Sequence, residues 1–479
     1  MVDGKLKKNI VLNALTQLVV VLVPLIAAPF VSRRLNAELI GVYNYCYSIV
    51  SIFALFANVG LSNTGIALVA KVKDDKAKLS SVFWSLMLLR LIFTLGTVAV
   101  YAVFVILSKE YSSYFWIFLL FIIGTFLDVT WFFQGLENFK IVFMRTVLVR
   151  ILLLVLILVF VRAPEDFPLY VWANVLSIFL PSVLVFPALF KYLQKVPLSD
   201  IHPFENFRVI LEFFLPGVAY TLYAMIDKTM IKLITGGTVE VGYYEQAYKI
   251  AFIGITAMTV FGTVFSSRIS GIKDDEEIKG LHTSYLCLAL SVSLVMLVGL
   301  FSLADFFIPF FYGPGYTGSI NILKLFSLLP LIMGISNFVS YLYFIPKLIS
   351  RPPLIIIIIA ILLNAGLNAL FIKFMGGFGA ALATVISETF ISVSYLCFYR
   401  KYSPLMPLVR KLWKYFVAFG IDFGATFLLC YFVPCTEVWQ FFVYAPAIVL
   451  LYAVLLLAFR EEKAYAALRW AAAKLKRKK

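Results

Sequence analysis

Fourteen stretches of this chain are long and apolar enough to cross a lipid bilayer, and that count constrains the fold more than any motif does. A helical span needs about 20 mainly apolar residues to cover about 30 Å of hydrocarbon. The stretches run over 9–31, 40–62, 82–107, 114–134, 141–161, 169–190, 209–234, 243–265, 283–307, 319–345, 353–373, 379–399, 413–433 and 441–459. Between 353 and 399 the only turn is offered by Gly376, Gly377 and Gly379. No water reaches that depth to satisfy backbone groups, so apolar runs of this length are helices. Charged residues make up 14% of the chain, where a soluble domain carries roughly 25%. The deficit covers the whole length, so no soluble domain is expected at either end. The expectation is an all-α polytopic membrane protein with about 14 transmembrane helices.

An even number of spans places both termini on one side, and the basic residues choose the side. Loops on the N-terminal side, with both tails, hold 29 of the 41 Lys and Arg, including Lys71, Lys73, Lys76, Lys78, Arg400, Lys401, Arg410 and Lys411. The opposite loops hold five, namely Arg33, Arg34, Lys109, Arg162 and Lys373 (at the very end of its span), and seven lie deeper within spans. Positive charge concentrates on the cytoplasmic side of short loops, so the reading is a cytoplasmic-membrane protein with cytoplasmic termini. The net charge of +16 is thereby explained by topology, without a nucleic-acid partner. Lys5, Lys7 and Lys8 precede a first apolar run too long for a cleavable signal. Five cysteines without a C-x-x-C pair and two histidines, His202 and His282, leave few ligands for a metal or a Cys/His catalytic site. No cofactor is expected.

Two segments 201 residues apart resemble each other: Gly41-Val-Tyr-Asn-Tyr-Cys-Tyr-Ser-Ile49 and Gly242-Tyr-Tyr-Glu-Gln-Ala-Tyr-Lys-Ile250. Glu38 and Glu240 precede them, and the spans ahead carry Pro24 and Pro29, and Pro216. Six spans separate the copies, so both have one orientation. This pattern predicts two pseudo-symmetric six-helix lobes around a central cavity, 1–190 and 209–399, joined by a 191–208 linker. Two further helices would follow over 400–459, then a basic tail over 460–479. Paired bundles with a site between them are a common transporter plan.

Ionisable groups at membrane depth cost roughly 2.5–3.5 kcal/mol each on insertion scales, so each needs a reason. The basic ones are Arg90, Arg145, Arg150, Lys228, Lys232, Lys249 and Lys324; Asp128, Asp227, Glu388 and Asp422 are acidic. Arg145, Lys232, Lys249 and Lys324 stand near span ends and can snorkel to the interface. Arg90, Arg150 and Lys228 are the candidate cavity cations, with Asp128 and Asp227 as supporting ion pairs. The bland alternative is a structural cluster of Arg90, Asp128 and Arg150. Glu388 and Asp422 are candidate coupling carboxylates, or else hydrogen-bond neighbouring helices. Asn364 and Asn368 read as interhelical glue.

Pro29-Phe-Val-Ser-Arg-Arg-Leu-Asn-Ala-Glu-Leu-Ile-Gly-Val-Tyr43 resembles the first outer turn of bacterial polysaccharide flippases (O-antigen and capsule, Wzx-type). Asp227-Lys228 with Val241 to Lys249, and Phe311-Tyr-Gly-Pro-Gly-Tyr316, add to the resemblance. These flippases belong to the superfamily of multidrug, oligosaccharidyl-lipid and polysaccharide exporters. The resemblance implies a transporter, not an enzyme, moving an undecaprenyl-diphosphate-linked oligosaccharide from the inner to the outer leaflet by alternating access. Glycosyltransferases and a glycan polymerase would be its functional partners. Nothing between Asn9 and Ser32 is charged, a departure from the peptidoglycan-type flippases.

Rival readings are an ion-coupled multidrug antiporter, which would favour acidic cavity groups, and a glycan polymerase, which would need a long outer loop absent here. No G-x-x-x-x-G-K-[ST] loop occurs. The tail, with Tyr465, Leu468, Ala472 and Leu475 on one stripe and Lys476-Arg-Lys-Lys479 at its end, suits a helix on the anionic inner leaflet. The topology is tested by alkaline phosphatase fusions, active only outside the cytoplasm. Fusions at 35, 110 and 163 should be active and those at 74, 193 and 402 inactive; the reverse pattern would refute the orientation.

Overall fold

In a chain this apolar the helices end where a glycine, a proline or a capping side chain intervenes. The computed structural model describes residues 4–269, 271–272, 274–347, 349–401, 406–463 and 465. Its α-helices are α1 (Gly4–Arg34), α2 (Ala37–Asn58), α3 (Leu61–Val72), α4 (Lys76–Leu107), α5 (Ser112–Leu127), α6 (Thr130–Gly135), α7 (Phe139–Phe160) and α8 (Phe167–Val185). They continue with α9 (Phe207–Thr235), α10 (Val239–Ile269), α11 (Asp275–Tyr312), α12 (Ser319–Phe326), α13 (Leu329–Val339), α14 (Arg351–Arg400), α15 (Met406–Phe432) and α16 (Val438–Ala458). No strand occurs among the described residues.

Twelve helical segments pass a length and hydropathy test for a membrane span among the described residues. One of them, α14, is two spans in series. Gly376, at φ 56° and ψ −135°, reverses the chain, a conformation that glycine adopts without a Cβ clash. A Cβ on Gly379 would strike the Phe371 carbonyl, so this turn leaves no room for a side chain. Counting α14 twice and adding the 31-residue α1 brings the number to fourteen.

Three differences from the sequence reading have local causes. Residues 63–72, read as loop, belong to α3, because Val59 and Gly60 both take left-handed φ and turn the chain after α2. Span 4 is interrupted after Leu127 and resumes as α6. Span 10 is α12 and α13 followed by a π-helical stretch, Ser340–Phe344. Asn368 Nδ2 donates to Asn364 Oδ1 at 3.0 Å, so part of their bonding runs along α14 rather than across to a neighbour. The stripe at Leu468, Ala472 and Leu475 and the terminal basic cluster lie outside the described residues.

The chain divides into two compact units, 1–242 and 243–479. In the first, α2 packs on α4, α5 and α9, and α7 packs on α1 and α8. Arg34 donates to the Leu158 and Val161 carbonyls at 2.8 and 2.7 Å. It thereby satisfies C-terminal carbonyls of α7 that have no intrahelical partner. Small residues let helices approach closely: Gly65 lies under the Trp131 ring and Gly135 against Val69. Asp75 caps α4, accepting from the amides of Ala77 and Lys78 at 3.0 and 3.1 Å. The Lys78 amide holds the Asp75 carboxyl below the usual carboxylate range. This contribution to the folded state is present above the ordinary carboxylate pKa and fades as pH falls through the depressed value.

The two repeat segments meet at their starts. A Cβ on Gly41 would strike the Thr238 carbonyl, and a Cβ on Gly242 would strike the Ala37 carbonyl. Residues 37 and 238, like 41 and 242, are 201 apart, so each segment's glycine receives the other's backbone. Such reciprocal exchange is what a two-fold contact produces. Thr238 Oγ1 adds a hydrogen bond to the Glu38 carbonyl at 3.1 Å.

In the second unit α11 is central, packing on α12, α13, α15 and α16, while α14 packs on α12 and α13. His282 is buried, with Nδ1 3.0 Å from the Tyr399 hydroxyl and Nε2 3.3 Å from the Leu342 carbonyl. Each unit carries a stacked tyrosine pair from the repeat. Tyr43 and Tyr47 have ring centroids 6.0 Å apart at 13°, and Tyr244 and Tyr248 6.3 Å apart at 7°.

Replacing Gly41 by Leu should lower the thermal midpoint in detergent, by the equivalent of about 1–3 kcal/mol for an overpacked site. Gly366 stands in α14 with nothing near its added Cβ, so Gly366→Ala should be neutral or stabilising, by up to about 1 kcal/mol. Equal effects at the two positions would contradict the close crossing.

Candidate functional site

The interruption of span 4 organises the polar groups of the first unit. Asp128 leaves the helical conformation at ψ 102°, and its Oδ1 accepts from the Thr130 amide at 3.1 Å and from the Thr130 hydroxyl. An Asp-x-Thr start of this kind replaces the missing intrahelical bonds of α6.

Two arginines attach to the break. Arg90, 2% exposed, donates Nη1 to the Asp128 carbonyl at 2.7 Å and Nη2 to Asn58 Oδ1 at 2.8 Å. It links the end of α2 to the break in span 4. Arg145 donates Nη1 to the Pro181 carbonyl at 2.9 Å and Nη2 to Asp128 Oδ1 at 3.0 Å, and also reaches the Thr130 hydroxyl. The Asp128 side chain therefore pairs with Arg145; Arg90 meets only its backbone. Arg145 points inward to this cluster rather than out to the interface.

Arg150 is different. It is half-buried on α7, its Nε is sealed from solvent without a partner, and it makes no ion pair or hydrogen bond among the described residues. Its strongest electrostatic neighbours are Tyr47 and Tyr43 of α2. A guanidinium placed this way has donors left for an anion, and its planar fork matches a phosphate.

Of the remaining groups, Asp227 and Lys228 are buried on α9, at 4% and 6% exposure, and both are engaged with neighbours. Lys232 reaches Glu110 Oε2 at 2.9 Å and the Gly236 carbonyl at 2.8 Å. Lys324 reaches Asp305 Oδ2 at 2.6 Å. Both lysines thus end on carboxylates. Glu388 is buried on α14, and Asp422 is buried on α15. Both oxygens of Asp422 lack a hydrogen-bond partner among the described residues.

The second unit also holds a feature that no motif announced. An apolar cleft of about 820 Å³ opens among α11, α12, α13, α14 and α15, lined by Phe301, Leu331, Phe378, Phe416 and Phe423, with Lys324 as its one charged residue. Its aromatics come from three helices, α11, α14 and α15. Only the α15 set Phe416, Phe419 and Phe423 follows a helical spacing, so periodicity along the chain could not have assembled the whole.

Comparison with known proteins follows the same outline. Residues 6–267 match a family described as polysaccharide biosynthesis protein. A protein of Escherichia coli (strain K12) named "Putative O-antigen transporter" is 24% identical over 343 residues, 69% of this chain and 81% of that protein. Its namesake from Shigella dysenteriae is 23% identical over 399 residues, 81% of this chain and 98% of that protein. The fold is similar to that of the lipid II flippase MurJ in an inward closed conformation, with a TM-score of 0.71 at 17% identity, covering 94% and 98% of the two chains. It is also similar to an inward-facing multidrug resistance MATE family transporter, with a TM-score of 0.63 at 18% identity, covering 81% and 95%.

The contrast between the arginines is measurable without any substrate. Arg90→Gln strands the Asp128 carbonyl and Asn58, so the thermal midpoint should fall by the equivalent of about 1–3 kcal/mol. Arg150→Gln breaks no bond and should leave the midpoint unchanged or raised. A destabilised Arg150→Gln protein would show that Arg150 serves the packing instead.

Proposed function

The chain belongs to the polysaccharide biosynthesis protein family, and on that premise we propose that it is a flippase for a lipid-diphosphate-linked oligosaccharide. The carrier is of the undecaprenyl type. The unit moves from the inner to the outer leaflet of a bacterial cytoplasmic membrane, where surface polysaccharide is assembled. The unpartnered guanidinium of Arg150 at mid-membrane carries this reading. A lipid diphosphate holds about two negative charges, and moving each bare through hydrocarbon would cost tens of kcal/mol by Born solvation. A guanidinium already inside the span lowers that barrier where it is highest. Lys228 is the second candidate cation, while Arg90 holds the Asp128 break.

The apolar cleft of the second unit supports the reading from the lipid side. A wall of phenylalanines and leucines suits a polyprenyl chain. The repeat supports alternating access by two similar halves, and the curated relatives bear the name of O-antigen transporters. Glu388 and Asp422 are proposed to carry any coupling ion, and the basic tail to rest on the anionic inner leaflet. Glycosyltransferases supplying the unit and a polymerase consuming it are the expected partners.

Deleting the gene should remove surface polysaccharide and accumulate the lipid-linked unit in the inner leaflet. Restoring it with Arg150→Gln should cut export roughly 10- to 100-fold, the loss of a charged hydrogen bond of about 1.5–3 kcal/mol, with membrane insertion intact. Normal export by a correctly inserted Arg150→Gln, Lys228→Gln double variant would refute the role given to these cations.

A further inference from the structure

Arg150 does not stand alone at its level. Tyr47 lies ten residues into α2 from Ala37, and Arg150 ten residues into α7 from Phe160. At 1.5 Å per residue both are about 15 Å from those helix ends. Arg34, the last residue of α1 and three before Ala37, bonds to Leu158 and Val161 at the end of α7. The start of α2 and the end of α7 therefore lie at a similar level, and the two side chains at a similar depth.

The tyrosines at that level are held by their edges. Tyr43 sits 5.8 Å from Phe118 and 5.1 Å from Tyr170, and Tyr47 sits edge-on to Phe121 at 5.6 Å. Both rings remain half-buried. The Tyr47 hydroxyl makes no hydrogen bond among the described residues and is not sealed from its surroundings. A phenol and a guanidinium without hydrogen bonds among the described residues, at a similar mid-membrane depth, would be costly against lipid. If this were packing alone, phenylalanine would serve as well. In the second unit Tyr244, the counterpart of Tyr43, has its hydroxyl 3.1 Å from Thr384 Oγ1.

We infer that Tyr43, Tyr47 and Arg150 form a saccharide-diphosphate subsite: the stacked rings receive the face of the first pyranose, and the guanidinium holds the diphosphate joined to it. This rests on the flippase reading above and adds that the first unit recognises the sugar as well as the phosphate. An aromatic wall with one or two aimed polar groups is the usual make-up of a small-molecule site. Rings fixed beforehand by edge contacts lose little freedom when a ligand lands on them. The phenol gives a sugar hydroxyl a partner that it would otherwise lack at this depth.

The test uses the purified full-length protein and synthetic short-chain probes: farnesyl diphosphate alone, and farnesyl diphosphate bearing glucose, galactose or N-acetylglucosamine. Wild type should bind at least one sugar-bearing probe about tenfold more tightly than the bare diphosphate. Tyr47→Ala and Tyr43→Ala should abolish that difference while leaving the bare probe's Kd unchanged, and Tyr47→Phe, which keeps the ring and loses the hydroxyl, should keep only part of it. Arg150→Gln should weaken all probes alike. The inference is overturned if no sugar adds affinity, if Tyr47→Ala keeps the difference, or if it weakens the bare probe equally. Binding of no probe at all by wild type would instead sink the flippase reading and this subsite with it.

Discussion

Inside hydrocarbon a stray donor or acceptor has no solvent to turn to, and the architecture here is organised by that penalty. The interruption at Asp128 would expose backbone groups at depth. Thr130, Arg90 and Arg145 close around it, and through them α2, α4, α7 and α8 are tied to the break in span 4. A kink is tolerated in a membrane helix only when neighbours take over its broken bonds. Here two arginines on other helices do so, which is why they are buried and engaged. Against that background Arg150, five residues along α7 from Arg145 and with no such duty, acquires its meaning.

Close backbone approach is the second organising contact. The reciprocal fit of Gly41 on Thr238 and Gly242 on Ala37 turns a weak likeness between two segments into a geometric relation. Four identical residues in nine would be poor evidence by themselves. A matching exchange of glycine and carbonyl at the same 201-residue offset, with a stacked tyrosine pair after each, is much harder to obtain by chance. Lipid tails offer helices no hydrophobic incentive to associate, so contacts that admit no Cβ are the means by which such helices hold together.

Sequence legibility varied with the range of the interaction. The span pattern was legible because length and hydropathy are local, and the Gly376 turn because only glycine suits it. Residues 63–72 of α3 were missed because the start of that helix depends on left-handed φ at Val59, a residue that gives no such signal. Arg145 was misjudged for a similar reason: six residues from a helix end it could snorkel, but Asp128 and Pro181, brought in from other helices, offered it bonds. Arg90, Arg150 and Lys228 looked alike on paper. They differ only in what surrounds them.

The residues in order determine that this is a many-span helical membrane protein, which side its loops favour, and that its spans carry more basic than acidic groups. Those properties depend on composition and on distances along one chain, which hydrocarbon thickness converts directly into structure. Which cation is occupied and which is free, which tyrosine hydroxyl is bonded, and that five helices enclose an apolar cleft were decided by tertiary packing alone. Each depends on neighbours distant in the chain, and in a medium that punishes every unpaired polar group the neighbours decide what a charge is for.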